Sequence, residues 1–314
     1  MTLGPTLADL RDAHSGLAGV GVRTPLVPLP GLGTDVRLKA EYLQPINAFK
    51  IRGAWTALSR LAPEARARGV VTSSSGNHGL GLATAAARLG VRAVIVMPES
   101  APRIKQERIA ATGAEVRLVG AVRGPEQTAE AERLSAEEGL ALIPPYDHPE
   151  VIAGQGTCAL EILEDWPEVG TIVVPTGGGG LLAGTCAAVA AVGRDVRIIA
   201  VEPEHIPKVS AARAADAPVT LPAGTSLADG MLTRSVGDLT WPIIRERLTG
   251  VVAVSDSAIR AAMRHLDALG IRLEPSGATA VAAVLAGQIA CDGPTALIAS
   301  GGNVDPLHYA ELIA

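Results

Sequence analysis

The sequence predicts an α/β fold built on open parallel sheets and divided into two lobes, and three observations carry that expectation. Short β-branched runs alternate with Ala-rich stretches of helical length, the pattern of βαβ units with strands lying side by side in parallel. The chain has 314 residues, more than one hydrophobic core usually organises. Hydrophobic residues make up 48% of it but aromatics only 2%, with Phe49 the sole phenylalanine. The core must therefore be assembled from Ala, Val, Leu and Ile, which suits a parallel sheet covered by helices.

Along the chain, residues 9 to 19 read as a first helix, Val36 to Tyr42 as a strand, and Gly53 to Leu61 as the body of a helix opened by Lys50. Three strand and helix pairs follow: Val70 to Thr72 with 77 to 89, Arg92 to Met97 with 101 to 111, and Glu115 to Val119 with 125 to 138. Leu140 to Ile143 closes the group, and Pro144-Pro145 with the Asp147-His148-Pro149 turn marks the return crossing. Residues 63–145 thus form a small inserted α/β domain, and residues 1–62 with 146–314 the large one. The large one resumes with a helix from 151 to 164, strand Thr171 to Val174, helix Leu181 to Val192 and strand Arg197 to Glu202. Pro203 to Leu239 shows little periodicity. Strand Val251 to Val254, helix Ser257 to Leu269 capped by Ser255 or Asp256, helix 276 to 287 and strand Thr295 to Ile298 complete it.

A net charge of −5 gives no electrostatic reason to expect nucleic acid or an anionic membrane as partner. Cys158, Cys186 and Cys291 stand singly among apolar neighbours, as buried thiols of a reducing, cytoplasmic compartment do. No leader segment is expected, and the apolar run Leu181 to Val192, broken by Gly184, is too short to span a bilayer.

The chemistry is expected around Gln44-Pro45-Ile46-Asn47-Ala48-Phe49-Lys50-Ile51-Arg52-Gly53-Ala54, which places one lysine among apolar residues at a loop-to-helix junction. A helix N-terminus and partial burial both disfavour an ammonium, so Lys50 is a candidate Schiff-base nucleophile. The alternative is a lysine that merely opens an amphipathic surface helix. Three further loops stand where a strand ends, the place at which open α/β sheets bind ligands. Ser73-Ser74-Ser75-Gly76-Asn77-His78-Gly79 leads into a helix and offers amides and hydroxyls to a carboxylate, or is a capped Gly-Asn turn. Thr176-Gly177-Gly178-Gly179-Gly180-Leu181 is a costly run of glycines that close approach to a phosphate would explain. No Gly-Lys-Ser/Thr follows it, but Gly178, Gly180 and Ala183 with Glu202 fit a degenerate dinucleotide pattern, so an NAD(P)-binding oxidoreductase stands as a rival. The third loop, Ala299-Ser300-Gly301-Gly302-Asn303-Val304-Asp305, brings a hydroxyl to a strand's mouth, or is a plain turn.

Asn47 to Ala54 with Lys50, Ser75 to Gly79, the turn Gly154-Gln155-Gly156-Thr157, the tetraglycine loop, Glu274-Pro275-Ser276-Gly277-Ala278 and Ser300 to Asn303 occur in this order over residues 20 to 307. In this the chain resembles the serine/threonine dehydratase and serine racemase family, pyridoxal 5'-phosphate enzymes of the tryptophan synthase β-like fold, fold type II. The resemblance implies a homodimeric lyase that releases ammonia and a 2-oxo acid from a β-hydroxy amino acid such as serine or threonine, with serine racemisation as the alternative. It implies that Lys50 carries the cofactor and takes the Cα proton, with Phe49 packed near the ring. Asn77 would contact the 3-hydroxyl, Gly177, Gly178, Gly179, Gly180 and Leu181 would bind the phosphate, and Ser300 would face the ring nitrogen. Ser74, Ser75, Gly76, Asn77 and His78 would surround the substrate carboxylate. A neutral serine at the ring nitrogen makes the ring a weaker electron sink than a carboxylate partner would, which favours prompt loss of a β-leaving group.

Four departures bear on the reading. Ser75 stands where many of the dehydratases carry alanine and the racemases carry serine, and a second acid-base group on the other face allows inversion. Gln44-Pro45-Ile46-Asn47 is closer to the threonine deaminases. Ala48 replaces a usual serine. Racemase-like members hold a divalent cation with the glutamate equivalent to Glu202 and an acid six positions on, where this chain has Lys208. No metal is therefore expected; Glu202 is either a ligand or a solvated strand-end acid.

Overall fold

Runs such as Ala93–Met97 and Thr171–Pro175 are buried at every position, which demands cover on both faces of the sheets they form. The computed structural model describes residues 4–314. Residues 1–3, placed in the large domain from sequence, lie outside the described residues.

Six strands, β1 (Leu26–Pro28), β2 (Val36–Lys39), β7 (Thr171–Pro175), β8 (Arg197–Pro203), β9 (Gly250–Val254) and β10 (Thr295–Ile298), form one sheet in the order β1-β2-β10-β7-β8-β9. Among the described residues only the β1–β2 pair of this sheet is antiparallel, and Leu297 sets the register of the centre by lying between Leu38 and Val173. A second sheet, wholly parallel, is built from β3 (Val70–Ser73), β4 (Ala93–Met97), β5 (Glu115–Leu118) and β6 (Ala141–Leu142) in the order β5-β4-β3-β6. The helices are α1 (Leu7–Gly16), α2 (Lys50–Ser59), α3 (Pro63–Arg68), α4 (Asn77–Leu89), α5 (Arg103–Ala110), α6 (Pro125–Glu138), α7 (Pro149–Asp165), α8 (Gly180–Val192), α9 (Lys208–Ala215), α10 (Thr240–Arg247), α11 (Asp256–Ala268), α12 (Pro275–Leu285) and α13 (Pro306–Ile313).

The structure differs from the sequence expectations at several elements. Pro203 to Leu239 is not irregular throughout, since it contains α9 and a 3-10 turn at Asp229–Met231. Helix α9 was hidden because it is short and buries little beyond Lys208, Val209 and Ala212. Strand β1 and helices α3, α10 and α13 were too short to show a period. Gly154-Gln155-Gly156-Thr157 is not a turn but the middle of α7. Its glycines let helices touch: a Cβ on Gly154 would stand 2.6 Å from the Gly53 Cα of α2, and one on Gly156 2.9 Å from the Gly184 carbonyl of α8.

Helix α2 is also tied down by charge. Arg52, Glu41, Lys39 and Glu161 are all buried, and a buried charge is tolerable only when paired and hydrogen-bonded. Arg52 reaches Glu41 at 2.7 Å and Glu161 at 2.7 Å, while Lys39 reaches Glu161 at 2.6 Å. Burial opposes ionisation of Glu161, but His14, Arg52 and Lys39 hold its carboxyl well below the usual range. The helix that begins with Lys50 is thereby locked to β2 and α7.

Candidate active site

The segment before α2 is fastened to the loop after β10. Asn47, in the left-handed region at φ 55°, accepts a hydrogen bond from Gly302 N at 2.9 Å, Ala48 bridges Gly301, and Phe49 N donates to Ser300 O at 3.0 Å. Lys50 is then the first residue of α2, at the loop-to-helix junction expected from sequence. Its amine is half-buried and donates to Pro145 O at 2.6 Å. Burial pushes the amine down to about 8 from its usual 10.5, so far more of it is free base near neutrality than for a surface lysine.

Pro145 connects this amine to the tetraglycine loop. The next residue, Tyr146, lies so close over the loop that a Cβ on Gly178 would strike its ring, and one on Gly180 would stand 3.0 Å from its Cα. Gly179 caps α8 at φ 100°, which favours glycine. Gly178 O accepts from Thr240 Oγ1 at 3.0 Å and Gly237 N at 3.1 Å, which holds the loop open on its other side. Among the described residues the amides of Gly177 to Leu181 donate to nothing. Five free amides at the start of a helix of 13 residues make an anion cradle.

Ser74, Ser75, Gly76 and Asn77 are half-buried at the carboxyl end of β3, and the last three of these, without Ser74, line a cavity of about 590 Å³. Asn77, first residue of α4, donates to Glu274 Oε1 at 2.7 Å and accepts from Asn303 Nδ2 at 2.8 Å. His78 differs from its neighbours. Its imidazole is buried, hydrogen-bonds Ile143 O at 2.9 Å, and is pushed down to about 3 by burial and the nearby Lys50. It is neutral at physiological pH, and only its main chain is available to a carboxylate.

Glu274 lies in a motif to which the sequence alone assigns no role for the acid. Its carboxyl is buried against Gly301 and Asn77, and burial followed by the Asp229 charge raises it to about 8. The only sequence signal was an acid directly before the Pro-led α12 among apolar residues. Glu202 is not a solvated acid: it is fully buried and accepts from Val209 N at 2.7 Å, Ser210 N at 3.0 Å and Ser210 Oγ at 2.6 Å, capping α9. Both of its oxygens are engaged there and shielded from solvent, which argues against the ribose partner that the dinucleotide pattern required. Lys208 is buried beside it, donates to Met231 O at 2.9 Å, and is pushed down to about 8 by burial. No group of three or more His, Cys, Asp or Glu able to hold a metal occurs among the described residues.

A side-chain-free anion cradle, a half-buried amine reached through Pro145 and Tyr146, and the buried Ser300 tied to Phe49 fit a group that combines a phosphate, an aldehyde and a ring nitrogen. Comparison with known proteins agrees. Residues 17–301 match the model of the pyridoxal-phosphate dependent enzymes. The chain is 38% identical to L-threo-3-hydroxyaspartate ammonia-lyase of Saccharomyces cerevisiae, over 99% of this chain and 97% of that one. It is also 38% identical to L-threonine ammonia-lyase of Thermotoga maritima, over 96% of this chain and 76% of that one. Maize serine racemase superposes with a TM-score of 0.93 at 36% identity, covering 98% of this chain and 96% of the other, so the fold is that of the fold type II enzymes expected from sequence. With a model match across most of its length and relatives this similar, the chain belongs to the family of pyridoxal-phosphate-dependent enzymes.

Proposed function

We propose that this enzyme is an ammonia-lyase acting on a β-hydroxy amino acid such as serine or threonine, releasing a 2-oxo acid and ammonia. The observation that carries the reading is the Lys50 amine, held at the start of α2 with its basicity lowered to about 8 and connected through Pro145 and Tyr146 to the glycine cradle. The names of the yeast and Thermotoga relatives, both ammonia-lyases of β-hydroxy amino acids, support it.

Bound pyridoxal phosphate supplies the electron sink that makes the substrate's Cα proton acidic. The amides of Gly177 to Leu181 would hold its phosphate, Asn77 its 3-hydroxyl and Ser300 its ring nitrogen, with Phe49 beside the ring. Ser74, Ser75, Gly76, Asn77 and the main chain of His78 would hold the substrate carboxylate at the start of α4. Lys50 takes the Cα proton, the β-hydroxyl departs as water, and hydrolysis of the remaining enamine yields the 2-oxo acid and ammonia. In this reading residues 63–145 act as the small domain over residues 1–62 and 146–314, in a homodimer of the cytoplasm, a compartment consistent with three buried free thiols.

Lys50→Ala tests the assignment. Turnover should fall by about 10³-fold or more, together with the absorbance of the cofactor bound to lysine; full turnover in a variant that keeps that absorbance rejects it. A second reading, racemisation, is favoured by Ser75, whose hydroxyl lines the cavity and has no partner among the described residues. If Ser75 serves the face opposite Lys50, Ser75→Ala loses inversion of serine while elimination from one enantiomer persists, whereas equal loss of both separates Ser75 from that role.

A further inference from the structure

The end of β8 is followed by a buried cation that no step of the reaction uses. Lys208, the first residue of α9, is fully buried, and an ammonium taken out of water needs close oxygens. It has two main-chain carbonyls from separate segments: Nζ donates to Met231 O at 2.9 Å and to Ile206 O at 3.4 Å. Glu202 supplies the negative charge that favours the ammonium. Carbonyls gathered beside a carboxylate are the oxygen set that hard divalent cations take, and position 208 is where racemase-like members of the resembled family carry the second acid of their cation site. The residues present do not fit such an ion. Nζ already stands among the oxygens, and its charge repels a second cation.

The carbonyl that Lys208 grips belongs to the turn Asp229–Met231, and this turn meets three parts of the site. Its Gly230 O would stand 3.3 Å from a Cβ on Gly177, the first glycine of the anion cradle. Gly230 N donates to Ser276 Oγ at 3.1 Å, at the start of α12. Asp229 pairs at 2.9 Å with Lys105 of α5, and both line the cavity.

We propose that Lys208 is a built-in replacement for a metal ion, whose ammonium fixes the Asp229–Met231 turn against the glycine cradle, so that this enzyme keeps its cofactor without a divalent cation. Lys208 is a positioning residue, since it acts on the cradle only through Met231, Gly230 and Gly177. The proposal rests on reading Gly177 to Leu181 as the phosphate cradle. A cation carried by the chain is not stripped by a chelator and does not vary with the ions in solution.

The test uses holoenzyme of the wild type, Lys208→Met and Lys208→Asp at pH 7, below the value of about 8 to which burial brings the Lys208 amine. Turnover of serine and threonine, melting temperature and the rate of cofactor loss on dilution are read in EDTA and in excess MgCl2 or CaCl2. The wild type should be indifferent to all of these additions. Lys208→Met keeps the length of the side chain and loses its charge; it should release cofactor about 10-fold faster, the ratio that 1.4 kcal/mol produces, and no divalent cation should restore it. Lys208→Asp sets a second acid near Glu202, so in EDTA it should melt early. Excess divalent cation should then raise its melting temperature by about 3 °C or more and return its cofactor retention toward that of the wild type. Lys208→Ser, read in the same way, takes its place if the aspartate variant does not fold. A wild type that loses turnover in EDTA or gains it with Mg2+ or Ca2+ overturns the proposal. So does a Lys208→Met that retains cofactor as the wild type does, or a Lys208→Asp whose melting ignores divalent cations. Gly178→Ala, whose Cβ would strike the Tyr146 ring, tests the cradle separately: unchanged cofactor retention there overturns the cradle reading and the proposal with it, whereas loss of cofactor there with indifferent Lys208 variants overturns the proposal alone.

Discussion

At the scale of single residues, Lys50, His78 and Glu274 titrate far from their ordinary values for the same leading reason, loss of water. Lys50 was visible in the sequence because its type, its apolar neighbours and its junction sit within a few positions. Glu274 was not, since what raises it is burial among residues far away in the chain, followed by the charge of Asp229. An ordinary glutamate titrates near 4.5 and this one near 8. The folded chain therefore keeps a proton that the unfolded chain gives up across that window, and stability falls as pH rises through it. Glu274→Gln removes the dependence. Its thermal midpoint should drop less between pH 5 and pH 8 than that of the wild type, by about 2 °C or more, as read by scanning calorimetry. Parallel curves for the two proteins argue against a buried protonated acid.

Helices in this protein are held at close range by glycine. Ordinarily alanine is better than glycine inside a helix by about 1 kcal/mol. At Gly184 of α8 the balance reverses, because a Cβ there would lie 2.5 Å from Gly156 N and 2.7 Å from Ile152 O, backbone atoms of α7 that have nowhere to go. Gly184→Ala should cost about 1–3 kcal/mol in urea unfolding. Gly16→Ala, at the end of α1 where a Cβ meets nothing within 4 Å, is the control and should be neutral or slightly stabilising. The sequence showed Gly154 and Gly156 but suggested a turn, since glycine spacing is alike in a turn and in a helix seam; the facing glycines Gly53 and Gly184 decide between them.

Over the whole molecule, the buried cluster of Lys39, Glu41, Arg52 and Glu161 joins the strand β2, the start of α2 and α7. Its two cations and two carboxylates balance, and removing one member strands the others in a medium where an unpaired charge costs several kcal/mol. Arg52→Met should lower stability by about 3–5 kcal/mol, seen as a shift of the urea midpoint, and Arg52→Lys should recover part of it. Loss of less than about 1 kcal/mol in Arg52→Met, the range of a solvated pair, means that water reaches the cluster. Arg52 stands two residues from Lys50, so the same ion pairs fix the helical turn that carries the amine.

The alternation of β-branched and Ala-rich segments determined the two-sheet α/β class, and the order of the glycine and serine loops with the lysine that opens α2 implied the cofactor chemistry through the family they resemble. Each of these rests on neighbours within a few residues or on a period that backbone geometry imposes. Tertiary structure alone decided that His78 is turned inward to Ile143, that Glu202 caps α9, that Glu274 keeps its proton and that Lys208 is buried against main-chain carbonyls. Those properties depend on which distant groups exclude water or supply a bond, and the dielectric and the partners around a side chain are set only once the chain has closed on itself.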